Sequence, residues 1–199
     1  SMAETAVSIY DHDLTIKHLF GEPLDLSQYR GKALLVVNVA SECGFTPQYK
    51  GLQALHQTYS KKGLVVIGVP SNDFGNQEPG TAEEINQVCS SKFGVEFPIT
   101  EKIRVKGKDK HPLYAFLTQS GTLKQRGEVR WNFTKFLLDG NGQIAHRYTS
   151  YQKPLSKRIQ RDIDRLLSRL PTPSVSESIL KEDYDKINKV RPKKEDSNE

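Results

Sequence analysis

The chain has 199 residues, 36% of them hydrophobic and 27% charged, with a net charge of +5 at pH 7. That length suits one domain with a short appendage, and no apolar run is long enough to span a bilayer. Two cysteines and five scattered histidines (His12, His18, His56, His111, His146) make neither a disulfide framework nor a metal-ligand spacing, so no metal and no cofactor are expected.

The first predicted elements are short strands at 6–9 and 14–17 around Asp11-His12-Asp13, which together predict an N-terminal hairpin. "ALLVVNVA" (33–40) is a continuous apolar run, as expected of a central strand covered on both faces. After Cys43, the residues Tyr49, Leu52, Leu55, His56 and Tyr59 recur at helical spacing, and Gly63 ends that helix. "LVVIGVP" (64–70) reads as a second buried strand. A helix is expected over 81–92, with Thr81 as N-cap and Glu84 in capping-box position. Another begins in "HPLYAFLTQS" (111–120), where Pro112 suits the first turn.

"FTKFLLD" and "QIAHRYT" flank Asp139-Gly140-Asn141-Gly142, a hairpin signal. A last amphipathic helix covers about 155–169. Alternating strands and helices argue for an α/β layer fold. Two βα units, a hairpin and a terminal helix predict a thioredoxin-like fold, a central mixed β-sheet flanked by helices, over residues 1–170.

Residues 171–199 change character. They open with Pro and Ser, carry six basic and seven acidic side chains, and read as a charged C-terminal extension. The positive excess lies in "EKIRVKGKDK" (101–110) and "KRIQRDIDRLLSR" (157–169). These segments lack interleaved aromatics, so a solvated surface is expected rather than a nucleic-acid interface. No leader is visible, and the expected compartment is the cytoplasm. The opening Ser1-Met2 reads as an expression remnant, which leaves room for a removed leader.

Chemistry concentrates at Cys43, where the first buried strand turns toward its helix. A cysteine at a helix start meets the positive end of the macrodipole and unpaired N–H groups, and both favour the thiolate. Glu42 opposes this unless its carboxylate points to solvent. The alternative reading of Cys43 is a buried, structural cysteine. Reduction of a peroxide would need hydrogen-bond donors around the thiolate, and amide NH₂ and indole N–H groups serve without taking its proton. "NDFGNQEPG" (72–80) offers Asn76 and Gln77, and "RWNFTKF" (130–136) offers the single tryptophan, Trp131, beside Asn132. Taken singly, these residues are as well explained as turn formers and packing groups. Cys89 lies on the apolar stripe Ile85–Cys89–Phe93, which by itself describes a buried, inert thiol.

Together, "NVASECGFTPQY", "NDFGNQEPG" and "WNFTKFLLDGNG" resemble the three signature segments of the glutathione peroxidase family, in order, within a resemblance covering roughly 6–168. The resemblance implies an active-site tetrad of Cys43, Gln77, Trp131 and Asn132. Cys43 would attack a hydroperoxide and become a sulfenic acid, while the other three donate hydrogen bonds. Cys89 resembles the resolving cysteine of the thioredoxin-dependent, non-selenium members. If it is buried when reduced, its helix must unwind to reach Cys43, which predicts a locally weak helix.

Three positions depart from the family pattern: Ser71 where many relatives have cysteine, Asp73 where Gln is common, and Glu42 where Lys is common. The segment between Pro98 and Trp131 lacks the insertion that the tetrameric, glutathione-using members use for assembly, so the resemblance implies a monomer with an open site and argues against glutathione as preferred reductant. Hydrogen peroxide and organic or lipid hydroperoxides are the expected substrates, with thioredoxin as partner. Glutathione as donor, or a sensor that relays its oxidation, are the alternatives.

Overall fold

The computed structural model describes residues 7–170, so the 171–199 extension lies outside the described residues. The chain opens with a 3₁₀ turn at Ile9–Asp11 and a small antiparallel hairpin, β1 (Ile16–Lys17) with β2 (Pro23–Leu24). An N-terminal hairpin is therefore present, one element later than the strands expected at 6–9 and 14–17. The reason is local capping. Ser8 Oγ accepts the Tyr10 N–H while the Asp11 carboxylate accepts the Ser8 N–H, and this competes with extended pairing.

The central sheet comprises β3 (Ala33–Val39), β4 (Leu64–Pro70), β5 (Lys135–Leu138) and β6 (Ile144–Tyr148), in the order β4-β3-β5-β6. β3 and β4 are parallel, with Val36 opposite Ile67, and β5 runs antiparallel to both β3 and β6. Every residue of β3 and β4 is buried, which is why both read as near-continuous apolar runs, with Asn38 the polar exception in β3.

Alternate residues of β3 divide between two cores. Leu35, Val37 and Val39 pack with α1 (Tyr49–Tyr59), α4 (Lys157–Leu167) and Ile85 of α2 (Ala82–Asn86), whereas Leu34 and Val36 pack with α3 (Pro112–Gln119). Helices on both faces of a mixed sheet, with the first buried strand leading into α1 through Cys43, make the thioredoxin-like arrangement.

α4 buries Ile159, Ile163 and Leu166 and is capped by Ser156 Oγ, so its basic residues form the solvent face of an amphipathic helix. The 101–110 run is partly engaged within the domain. Lys102 Nζ donates to Gly80 O at 2.7 Å, Arg104 pairs with Asp73, and Lys110 pairs with Glu128.

The helix expected over 81–92 begins with the predicted capping box, Thr81 with Glu84. Its winding then changes. From Gln87 to Lys92 it is a π-helix, and Phe93 N–H reaches back to Val88 O at 3.2 Å.

Candidate active site

Cys43 sits in a turn that one hydroxyl closes. Cys43 N–H donates to Thr46 Oγ1 at 2.9 Å, and that hydroxyl donates to Ala40 O at 2.8 Å. Cys43 is 8% exposed, and its sulfur accepts the Phe45 N–H at 3.3 Å. The sequence placed Cys43 in the first turn of a helix, but here a 3₁₀ turn, Thr46–Gln48, intervenes before α1. The macrodipole acts only within about one turn, so the Phe45 N–H is the group that steadies the sulfur.

Gln77, Trp131 and Asn132 come together beside this turn. Glu42 N–H donates to Gln77 O at 3.0 Å, which ties the 72–80 loop to the residue before Cys43. Gly75 has φ +64°, and a Cβ there would lie 3.1 Å from Trp131 Cη2 and 3.4 Å from Gln77 Nε2. The loop backbone thus touches both side chains, an approach that only glycine permits. Asn132 Nδ2 donates to Gln77 Oε1 at 3.0 Å. The hydrogen bond on the sulfur comes from Phe45, while the Asn132 amide is engaged with Gln77.

The Trp131-Asn132 pair is held from behind. Trp131 O accepts from Asn38 Nδ2 at 3.2 Å and from Thr134 Oγ1 at 2.9 Å, and Asn132 O accepts from Ser150 Oγ at 2.5 Å. The next residue, Phe133, is fully buried with φ +61°, a left-handed backbone that a bulky residue adopts only under tertiary constraint. Its N–H donates to Asn38 O at 2.7 Å.

The three departures from the family pattern each have a place. Glu42 is exposed, so water screens its carboxylate. Asp73 accepts from Arg104 Nε at 2.6 Å and from the Val105 N–H at 2.7 Å, which balances its charge locally. Ser71 is buried, and its hydroxyl accepts the Asp73 N–H at 3.3 Å.

Cys89 is fully buried in the π-helical segment, in the same core layer as Cys43, and both cysteines are thiols. Its sulfur lies 3.9 Å from Asn86 O and 3.8 Å from Ser90 Oγ. A cavity of about 300 Å³ separates the Cys43 turn from this helix, lined by Ser41, Glu42, Glu78, Glu84, Ile85 and Val88 among others. Glu78 was not singled out from the sequence, because a glutamate in a Pro/Gly-rich loop reads as solvated. It is fully buried. No group of three metal-ligating side chains occurs among the described residues, and none of their helices is long and apolar enough to cross a membrane.

A glutathione peroxidase family model matches residues 10–118. The chain is 49% identical over 152 residues to a glutathione peroxidase-like peroxiredoxin of Saccharomyces cerevisiae, covering 75% of this chain and 91% of that one. It is 46% identical over 155 residues to a hydroperoxy fatty acid reductase of Synechocystis, covering 75% and 90%. The solved structure of a T. cruzi glutathione peroxidase superposes with a TM-score of 0.63 at 32% identity, over 81% of this chain and 97% of that one. With its signature segments gathered around one cysteine, the chain belongs to the glutathione peroxidase family and is a peroxidase.

Proposed function

We propose that this peroxidase reduces hydrogen peroxide and organic or lipid hydroperoxides through Cys43, with Cys89 as resolving thiol and a thioredoxin-type dithiol protein as reductant. The Cys43 thiolate attacks the terminal oxygen of the hydroperoxide. An S–O bond forms, the O–O bond breaks, and the leaving oxygen takes a proton to depart as alcohol or water. Gln77 and Trp131 present N–H donors toward the peroxide, and Asn132 acts through Gln77 by fixing its carboxamide. The Cys89 thiol then attacks the sulfenic sulfur, water leaves, and the resulting disulfide exchanges with the external dithiol.

The observation that carries this reading is the placement of the two thiols. Cys43 lies on a turn tied to Gln77, and Cys89 lies in the same core layer on a segment whose winding has already left the α-helix. The family membership and the relative named as a hydroperoxy fatty acid reductase support the substrate class. We read the enzyme as a cytoplasmic monomer that needs no cofactor and binds no nucleic acid.

Cys89→Ser tests the cycle. The variant consumes one equivalent of peroxide per Cys43, and thioredoxin-driven turnover falls by about a hundredfold or more. Undiminished turnover with thioredoxin would remove Cys89 from the cycle. Sustained turnover of the variant with glutathione would make glutathione the donor.

A further inference from the structure

We propose that Glu78 is a positioning residue of the peroxidatic turn, whose buried carboxyl holds Cys43 against the Gln77 loop and whose charge opposes the Cys43 thiolate. The proposal rests on the reading of Cys43 as the peroxidatic residue. Glu78 Oε1 accepts the Ser41 N–H at 3.1 Å, one step along the turn from the bond between Glu42 N–H and Gln77 O. Two successive residues before Cys43 are therefore fastened to two successive residues of the 72–80 loop. From the other side, Glu78 N–H donates to Asn72 Oδ1 at 2.9 Å, which closes the loop on itself.

The remaining oxygen, Oε2, is buried without a hydrogen-bond partner, and the residue lines the cavity between the Cys43 turn and the Cys89 helix. A carboxylate in that position keeps a charge away from water with half of its acceptor capacity unmet. Burial pushes the carboxyl up to about 7; Ser41 and the Lys102 ammonium pull it back, while Glu42 on the turn raises it further. Glu84 of α2 lines the same cavity.

The sign is then defined. Below about pH 7 the carboxyl is neutral and fastens the turn at no electrostatic expense to the thiolate. Above it, a buried negative charge stands close to the Cys43 turn and disfavours the second negative charge on sulfur. The pH dependence of Cys43 oxidation should therefore carry a component near pH 7 that belongs to Glu78.

Trp131, the only tryptophan, reports the reaction by stopped-flow fluorescence with hydrogen peroxide in single turnover, from about pH 5 to about pH 9. Wild type should show a component near pH 7 that belongs to Glu78. Glu78→Gln keeps an acceptor for Ser41 but cannot ionise. Its profile should lack the component near pH 7, with the rate at pH 8 raised about threefold. Glu78→Ala removes the acceptor as well as the charge and should oxidise about tenfold more slowly than Glu78→Gln at every pH.

A Glu78→Gln profile that superimposes on wild type would overturn the charge role, and a Glu78→Ala rate equal to that of Glu78→Gln would overturn the positioning role. Should Glu78→Ala fail to fold, the Glu78→Gln profile still decides the proposal. Peroxide consumption by Cys43→Ser would instead overturn the reading on which it rests.

Discussion

Thr46 stands where a second cysteine would make a Cys-X-X-Cys pair with Cys43, and its hydroxyl does a different job. By accepting from Cys43 N–H and donating to Ala40 O, it satisfies both polar groups of a buried turn with one side chain. Thr46→Val keeps the shape and removes the hydroxyl, leaving a donor and an acceptor unmet. The expected loss is about 1–3 kcal/mol of stability by denaturant unfolding, and oxidation of Cys43 by peroxide should slow with it. Unchanged stability would show that water or a shifted backbone replaces the hydroxyl. Thr46 could be seen in the sequence only as the absence of a cysteine. Its role depends on Ala40 and Cys43 being brought within reach, which one-dimensional spacing does not reveal. Glu78 was hidden for the same reason: its loop looks solvated until it is packed beneath Ser41.

In the proposed cycle, the segment carrying Cys89 is the element that must open for turnover. Its capping box and apolar stripe were readable, because both depend on neighbours three and four residues apart. The π winding was not, since it follows from how Phe93 and Val95 are seated after Cys89. Wider winding weakens backbone geometry, and the Ser90 hydroxyl bond to Asn86 Oδ1 at 2.9 Å is one of the side-chain ties across it. Hydrogen exchange by mass spectrometry should show amides 88–95 of the reduced protein exchanging about a hundredfold faster than those of α1. Oxidation with one equivalent of peroxide should abolish their protection while α1 is unaffected. Equal protection of the two helices before and after oxidation would contradict the opening that a Cys43–Cys89 disulfide requires. The N-terminal segment shows the opposite lesson, where local capping by Ser8 and Asp11 outweighed the strand pattern read at 6–9.

Across the whole molecule, the 149–152 turn joins the parts of the site. Gln48 Nε2 donates to Ser150 O, Ser150 Oγ to Asn132 O, and Lys135 Nζ to Gln152 O at 2.6 Å. Lys135 is fully buried, and burial pushes its ammonium down to about 7. Between about pH 7 and its ordinary value of 10.5 the unfolded chain holds this proton and the folded protein does not. Stability attributable to Lys135 therefore rises with pH through that window, and is lowest below about pH 7, where folding keeps the charge buried. Measured against Lys135→Met, the wild-type stability should climb by up to about 1.4 kcal/mol per pH unit over this range. A difference independent of pH would mean that the Gln152 and Thr149 carbonyls, both of which accept from Lys135 Nζ, hold the ammonium at its ordinary value.

By itself the sequence determined the layer fold, the helix stripes, the β5–β6 hairpin and the segments that make the site, because each is written in periodicity, turn residues or contiguous motif. Only the tertiary structure decided what those segments do to one another. It decided that Asn132 is bound to Gln77, that Asp73 is balanced by Arg104, and that Phe45 rather than a helix end faces the sulfur. It also decided that a glutamate and a lysine drawn from polar-looking positions lie out of water. The physical reason is that burial and hydrogen-bond partnership belong to pairs of residues distant in the chain. Periodicity reports which face of an element is apolar, but the groups that pack on it are supplied by the fold.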